Sequence, residues 1–525
     1  MKKFLLALVA MILTATLLSC SAPSAQQQSV DSESDSQTGE SESEITSESE
    51  SAETTETQTE TQTESETESE TQTESETETE SQTETETQTE SQTESQTESQ
   101  TESQTEKETQ KETEPKKELP LDGEIQGDDN LMQREYKAQN FTDMKCLWLS
   151  QFDLTKIYCE NGAQREESSF RALMATVLDN VKSNGINTVI LQVRPNADSM
   201  YPSDVYPPSS YVTGSHAKDF SYDPVPIIIE LARERELSIH AWINPLRAMT
   251  HEQILKVSKD YVVRQWYEDK EYRGKYLVKV EDNWYLNPAY SEVRDLIVKG
   301  AVEIMSKYNF DGLHMDDYFY PTTATTFDAR AYSQYKAEDG TLDLLSFRRE
   351  SLNKLIAAIY SATKTIDQTA LFGISPAGNY NTVYNSHCAD VLTWCATEGY
   401  IDYICPQIYF GLEHETFAFA KTADVWQSYI KTDKVKLVIG MTLSKSISKT
   451  DNYAGSGKNE WAEHDDVLKR CLEYTKELPS CTGVAYFCYQ YFYDPISGIE
   501  NEGSATERSN FIPLLKEISW EQSQN

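Results

Sequence analysis

Short apolar runs alternate with amphipathic stretches eight times between about Tyr136 and the end of the chain. Each run is nearly continuous in apolar residues, which is typical of parallel strands that are buried on both faces. Eight strands alternating with helices across residues 136–520 predict an α/β fold, a (β/α)8 TIM-type barrel with enlarged loops. The predicted strands span residues 145–151, 186–193, 237–244, 312–318, 371–377, 403–410, 435–443 and 484–491.

Amphipathic periodicity places helices between these strands, over residues 169–183, 293–307, 342–364 and 416–430. Two helix starts are also predicted, at Asp223-Pro224 and at Asn287-Pro288, because Asp or Asn suits the N-cap and Pro suits the first helical position. An open, doubly wound sheet is the alternative architecture. The sequence disfavours it because no glycine-rich phosphate loop follows the first strand.

A long acidic segment rich in Ser, Thr, Glu and Gln precedes the predicted barrel. Between Asp31 and Glu118 it carries 30 acidic residues and 4 lysines, which accounts for −26 of the formal net charge of −41. With so few apolar residues it cannot bury enough surface to offset chain entropy, so residues 20–130 are predicted to form a disordered tether. The rest of the chain is also acidic, and nucleic-acid binding, which needs a basic surface, is not expected.

The first residues have the pattern of an export signal. Lys2 and Lys3 precede an apolar run over residues 4–18, and Cys20 follows directly after Ser19. The run is shorter than a membrane-spanning helix needs, so residues 1–19 are predicted to be a cleaved signal peptide. The cysteine at the cut resembles the lipidation site of bacterial lipoproteins, which implies a lipid anchor at Cys20 and an extracytoplasmic location. An ordinary signal peptide with an incidental cysteine is the alternative.

Polar side chains gather where the predicted strands end. In a barrel of this type the carboxyl ends of the strands surround the active site, so these side chains are expected to converge on one cleft. The candidates are Arg194, Asp198, His240, Trp242, Asn244, Arg247, His314, Asp316, Asp317, Tyr318, Tyr320, Ser375, Gln407 and Tyr409.

The fourth predicted strand carries the strongest signal. Because side chains alternate along a strand, His314, Asp316 and Tyr318 share one side and Met315 takes the other. Met315 is apolar and should face the helices, which puts Asp316 in the barrel lumen. The adjacent Asp317 either turns inward as a second carboxyl group, with one pKa of the pair raised, or caps a loop or pairs with an arginine such as Arg194.

Several blocks of this sequence, taken in order, resemble the glycosyl hydrolase-like family 10 lipoproteins. The resemblance implies a (β/α)8 barrel and, in some members, cleavage of peptidoglycan glycan strands that have lost their peptides. The segment from Asp311 to Asp316 is also similar to the fourth-strand motif of α-amylase-type barrels, which implies that Asp316 is the nucleophile; His314 stands where those barrels place an arginine. The blocks are Gln192-Val193-Arg194-Pro195, His240-Ala241-Trp242-Ile243-Asn244-Pro245-Leu246-Arg247, Asp311-Gly312-Leu313-His314-Met315-Asp316-Asp317-Tyr318-Phe319-Tyr320-Pro321, Gly373-Ile374-Ser375-Pro376 and Ile401-Asp402-Tyr403-Ile404-Cys405-Pro406-Gln407-Ile408-Tyr409.

Together these features predict hydrolysis of O-glycosidic bonds by two carboxyl groups, with a polysaccharide as the partner and no cofactor or bound metal. Asp316 is expected to act as nucleophile or base, and Asp198 or Asp317 as acid, with Glu413 as an outside candidate. The other strand-end residues are expected to bind sugar, with Trp242 or Tyr320 stacking on a ring. The alternatives are a metal-assisted polysaccharide deacetylase and a glycan-binding barrel without catalysis.

Overall fold

Eight parallel strands close into a barrel in the computed structural model, which describes residues 131–520. Each strand pairs with its neighbours in chain order, and the eighth pairs with the first, so the barrel is confirmed and the open sheet is excluded. The predicted signal peptide and the whole predicted tether, with Cys20, lie outside the described residues. The strands are β1 Met144–Leu149, β2 Thr188–Arg194, β3 Ser238–Ile243, β4 Gly312–Met315, β5 Leu371–Ile374, β6 Tyr403–Ile404, β7 Lys436–Thr442 and β8 Cys481–Phe487.

A helix follows each strand and packs on the outside of the barrel. Asp223 caps its helix as predicted, accepting a hydrogen bond from the Val225 backbone N–H at 3.1 Å. The prediction at Asn287 was wrong: that helix begins at Ser291, because the Asn287 side chain accepts from Ala289 and donates to the carbonyl of Lys275, closing a turn instead. These helices are α1 Glu167–Ser183, α2 Pro224–Glu234, α3 Ser291–Lys307, α4 Leu344–Ile366, α5 Val391–Ala396, α6 Phe419–Tyr429, α7 Val467–Tyr474 and α8 Ala505–Glu517.

The loops that leave the carboxyl ends of the strands are enlarged, as predicted, and they build the mouth of the barrel. The loop after β3 holds a three-stranded antiparallel sheet of Arg247–Thr250, Asn283–Leu286 and Leu277–Val280. The loop after β1 holds the hairpin of Cys159–Glu160 and Ala163–Gln164. Short helices in these loops span Gln151–Tyr158, Ser210–Thr213, His251–Ile254, Val262–Glu268, Ala329–Ala337, Tyr380–Asn385, Ser444–Ser448 and Glu460–Glu463, with 3-10 turns at Gly455–Gly457, Tyr489–Tyr491 and Glu502–Ser504. A further 3-10 turn, Thr475–Glu477, joins α7 to β8.

Apolar packing fills both the space outside the strands and the lumen. Met315 is fully buried in the outer core between the strands and the helices, as its alternation predicted. The lumen holds large rings, among them Trp148 and Tyr403. Gly373 makes room for one of them, because a Cβ atom at that position would lie 2.0 Å from the ring of Tyr403. Within residues 131–520, no helix is both long and apolar enough to cross a membrane.

The segment 134–140, which we term the N-terminal clasp, closes the end of the barrel opposite the mouth. Its Arg134 pairs with Asp367 at 2.8 Å and donates to three backbone carbonyls that precede β4. Its Tyr136 donates to the carboxylate of Asp311 at 2.6 Å. The other end of the described chain lies close by, because the backbone N–H of Trp520 donates to Asp143 at 2.9 Å.

A chain of hydrogen bonds runs up the lumen from the clasp. Trp148 can only donate, so His314 accepts at Nε2 from the Trp148 indole at 3.3 Å and its Nδ1 donates to Tyr403 at 2.9 Å. Tyr403 then donates to Nδ1 of His240 at 3.0 Å, and Nε2 of His240 donates to Asn140 of the clasp at 2.8 Å. Burial lowers the pKa of both histidines, which keeps the rings neutral. Each ring can therefore accept one hydrogen bond and donate the other, as described.

A pH dependence of stability follows from His240. Burial lowers its pKa to about 4, against an ordinary value of 6.5. Its contribution is therefore fully present above about pH 6.5 and is lost as the pH falls toward 4, because the unfolded chain takes up the proton first. We expect His240→Gln to flatten the fall in stability over this window, as measured by urea unfolding at a series of pH values. An unchanged slope would contradict a buried neutral imidazole.

Candidate active site

Asp316 lies at the mouth of the lumen, directly after β4, and is 3% exposed. One carboxylate oxygen accepts from the indole N–H of Trp242 at 3.0 Å, and the other accepts from the backbone N–H of Tyr318 at 3.3 Å. Because Trp242 belongs to the lumen face of β3, Asp316 points inward as the alternation predicted.

Asp317 turns toward the same mouth, half-buried beside the loops that follow β5 and β6. Gln407 donates a hydrogen bond to its carboxyl group, and the imidazole of His387 lies beside it. The alternative pairing with Arg194 was wrong, because that guanidinium donates instead to the backbone carbonyls of Asn244 and Pro245 at 2.6 and 3.1 Å.

The two carboxyl groups form an electrostatically coupled pair. Burial raises the pKa of Asp316 well above its ordinary value, and the charge of Asp317 raises it further. Burial raises the pKa of Asp317 as well. The imidazole of His387 lowers the pKa of Asp317, and the guanidinium of Arg247 lowers the pKa of both carboxyl groups. Such a pair titrates in two coupled steps and can hold one proton while it carries one charge.

Arg247 is positioned by the small sheet after β3. Its strand pairs with the strand that carries Tyr285, and the N–H of the preceding Leu246 donates to the carbonyl of Tyr318 at 3.3 Å. The guanidinium carbon then lies 4.9 Å from the centre of the Tyr318 ring. Arg247 therefore places a positive charge close enough to Asp316 to lower the pKa of that carboxyl group.

His314 does not contact the carboxyl pair, since Trp148 and Tyr403 occupy its two ring nitrogens. In the part of the chain that the structure describes, no group of three or more His, Cys, Asp or Glu side chains is arranged to hold a metal ion. The ligand set that a deacetylase would need from His314, Asp316 and Asp317 is therefore not assembled, and the geometry does not favour that alternative.

Asp198 lies inside the loop after β2 and is 0% exposed. One of its oxygens accepts from the backbone N–H of Asn196 at 2.8 Å, and Nδ1 of His216 is 3.9 Å from the other. A glycosidic oxygen could reach this carboxyl group only if the loop opened. Asp317 is thus better placed than Asp198 to serve as the acid. The outside candidate Glu413 is exposed at the rim, where it lies 3.5 Å from His464.

Several predicted sugar-binding residues have structural contacts instead. Arg194 and Asn244 are buried against each other's loops, and Asn244 accepts from Gln192 at 2.9 Å. His240 lies two positions earlier on β3 than Trp242, so it faces the clasp rather than the mouth. Tyr320 is buried against Arg348 of α4, because β4 ends at Met315 and strand alternation no longer applies beyond it.

Other predicted residues do lie around the mouth. Tyr318 and Arg247 flank the carboxyl pair, and Gln407 spans from the carboxyl group of Asp317 to the carbonyl of Ser375, which it reaches at 3.0 Å. Tyr409 stacks on Phe487 with ring centres 6.0 Å apart. The side chain of Ser375 is buried and does not reach the cleft, so Ser375 contributes only the backbone carbonyl that accepts from Gln407.

Sequence reasoning missed His387. Burial lowers the pKa of this imidazole, and its Nδ1 is buried without a hydrogen-bond partner among the described residues. Its backbone carbonyl accepts from Tyr320 at 3.3 Å, which ties the loop after β5 to the loop after β4. His387 lies within the enlarged loop after β5, whereas the predicted site residues all lie at or just after the ends of the predicted strands. The length of that loop was the one signal in the sequence that pointed to it.

Comparison with known proteins agrees with this architecture. The family described as Glycosyl hydrolase-like 10 matches residues 143–455. Glycosyl hydrolase YngK of Bacillus subtilis (strain 168) is 34% identical over 406 residues, which cover 73% of this chain and 75% of that protein. Glycosyl hydrolase DigH of Escherichia coli (strain K12) is 26% identical over 383 residues, covering 68% and 85%. The PgaB (BpsB) glycoside hydrolase domain from Bordetella bronchiseptica is 10% identical, with a TM-score of 0.41, and the match covers 70% of this chain and 98% of that domain. Because the family match spans more than half of the chain, this protein belongs to the glycosyl hydrolase-like 10 family.

Proposed function

We propose that this protein is an extracytoplasmic glycoside hydrolase that cleaves peptidoglycan glycan strands from which the peptides have been removed. The observation that carries the proposal is the coupled carboxyl pair of Asp316 and Asp317 at the mouth of the lumen, with Arg247 beside it. Two carboxyl groups, one protonated and one charged, are what cleavage of a glycosidic bond requires. Membership of the family supports the same class of reaction.

We base the two roles on the hydrogen bonds, although burial and the charge of Asp317 raise the pKa of Asp316 well above its ordinary value. Both oxygens of Asp316 accept from groups that can only donate, the Trp242 indole and a backbone N–H, and this environment favours the charged form. Asp316 is therefore the nucleophile or base. Asp317, half-buried at the mouth, holds the proton and gives it to the departing sugar oxygen. Arg247, Tyr318, Gln407 and Tyr409 surround the pair and bind sugar hydroxyl groups.

The choice of glycan rests on the predicted location of the protein as well as on the active site. A lipid at Cys20 and the acidic segment of the predicted tether, some 90 residues of which 30 are acidic, would place the barrel in the layer that holds the cell wall. A flexible chain of that length would span roughly 50–60 Å. The barrel could then act on wall strands while the protein stays attached to the membrane.

The proposed activity can be measured directly. The full chain is incubated with purified sacculi from which the peptides have been stripped, and new reducing ends are counted. We expect their release by the native protein and none by Asp316→Asn. Binding of the glycan without any new reducing ends would contradict the proposal and favour a barrel that only binds glycan.

The lipid anchor has its own test. Cys20→Ala should block lipid attachment and move the protein from the membrane fraction to the soluble fraction, because the acyl chains supply the membrane affinity. Ser19→Ala is the matched control and should leave the protein in the membrane fraction. Retention of a cleaved Cys20→Ala protein in the membrane would contradict the anchor.

A further inference from the structure

A groove of about 410 Å³ lies on the rim of the barrel, and we term it the rim groove. One wall is the helix Gln151–Tyr158, which follows β1, and the other is the loop that follows β8. The backbone N–H of Gln490 donates to Asp153 at 2.7 Å and joins the two walls. Because both walls follow the carboxyl ends of strands, the groove opens on the same face as Asp316. Among its lining residues are Lys156, Gln490, Asp494, Ser497, Ile499 and Asn501.

Two large apolar side chains are exposed around this polar groove. Ile499 is 68% exposed and lines it. Phe152 is 41% exposed and lies one helical turn before the lining residue Lys156, on the same face of the helix. An accessible ring beside amide side chains suits a sugar, whose C–H face packs on the ring while its hydroxyl groups bind the amides.

The charges of the groove are largely balanced by neighbours. Hydrogen bonds from Ser497 lower the pKa of Asp494, with a smaller contribution from the charge of Lys156, and Glu500 pairs with Arg508 at 3.2 Å. Because the groove lining carries charges of both signs, from Lys156, Asp494 and Glu500, it does not select an ionic ligand of one sign, and an uncharged sugar unit fits its chemistry better than an acidic one.

Aromatic rings connect the lumen with the groove. Trp148, which bonds His314 inside the lumen, lies 6.2 Å from Phe487 between ring centres. Phe487 lies 6.3 Å from Tyr491, and Tyr491 is adjacent to Gln490 in the groove wall. The three rings thus form a continuous aromatic path from the lumen to the groove wall.

We infer that the rim groove is a distal glycan-binding subsite, which holds neutral sugar units of the same chain whose glycosidic bond lies at Asp316 and Asp317. This inference rests on the proposed function and extends it: the protein takes long glycan chains in preference to short ones. Phe152 and Ile499 bind sugar and take no part in the chemical step.

The test compares kcat/KM on a graded series of oligosaccharides prepared from peptide-free glycan strands, using the full chain. Phe152→Ala should lose roughly 5- to 10-fold on the long members, the amount expected when one aromatic contact is removed, and keep its rate on the shortest cleaved members. Ile499→Ser should show a smaller loss with the same length dependence. Leu392→Ala removes an apolar side chain that is 40% exposed on α5, and it should leave every rate unchanged.

The possible failures are distinguishable. An equal loss on short and long chains, or no loss in Phe152→Ala, would overturn the distal subsite while the proposed function stands. If the native protein cleaves no member of the series, the proposed function fails. The distal subsite can then be tested separately, by calorimetric measurement of the affinity for the longest oligosaccharides. Equal affinity in the native protein and in Phe152→Ala would overturn the subsite, and weaker binding by the variant would support it.

Discussion

Replacing Asp316 with Asn is expected to abolish turnover while the barrel stays folded. The substitution is nearly isosteric and keeps an oxygen that can accept from the Trp242 indole, but it removes the charge. A nucleophile or base cannot act without that charge, and its loss should lower kcat by about 100-fold to 10,000-fold. The measurement is reducing-end release from peptide-free glycan strands, with circular dichroism to monitor folding. Full activity in a folded Asp316→Asn protein would refute the mechanism.

The neighbours of Asp316 provide matched controls. Met315→Ala should leave the chemistry intact and instead cost roughly 2–5 kcal/mol of stability, because its side chain is buried in the outer core. Asp317→Asn should lower activity about as much as Asp316→Asn if Asp317 supplies the proton. A mild effect would return the acid role to Asp198, which would then require its loop to open.

Replacing Asp311 with Ala should strongly destabilise the barrel without touching the mouth. Its buried carboxylate pairs with Arg233 at 2.7 Å and accepts from Tyr136, from the Gln139 backbone and from the Ile239 backbone at 2.6–2.8 Å. Removing it leaves these donors without an acceptor, at a cost of roughly 3–5 kcal/mol. Urea unfolding measures the loss.

A graded variant makes this test specific to the N-terminal clasp. Tyr136→Phe removes only the hydrogen bond from the Tyr136 hydroxyl to Asp311, leaves that from the Gln139 backbone, and should cost about 0.5–1.5 kcal/mol. If Asp311→Ala is no less stable than Tyr136→Phe, the carboxylate does not hold the clasp in the way the contacts indicate. The family match begins at residue 143, so the clasp lies outside the segment that the family defines.

The eight strands could be predicted because parallel strands in a barrel are buried on both faces and show as apolar runs. The inward direction of Asp316 could also be predicted, since one apolar neighbour, Met315, identifies the outer face. Tyr320 was misassigned because it was grouped with the residues at the strand end, although β4 already ends at Met315. His240 was misassigned because residue order does not show the level within the lumen, which depends on the stagger between strands.

The partners of the carboxyl pair were harder to predict, because they come from loops whose paths depend on tertiary contacts. Arg247 reaches Asp316 only because a three-stranded sheet forms within the loop after β3. His387 reaches Asp317 from a loop whose sequence shows no strand and no motif. Tertiary contacts bring these residues together, and the periodicity of the sequence does not reveal such contacts.

The clasp and the contact between Trp520 and Asp143 put both ends of the described chain on the side of the barrel away from the mouth. Anything joined to either end, whether a surface, a bead or another domain, therefore holds the barrel on the side opposite the mouth. Pulling on the N-terminal side would load Arg134 and Tyr136 before it reached any catalytic group. Immobilisation through either end should accordingly leave the cleft open to a long, stiff polymer that cannot itself diffuse to the protein.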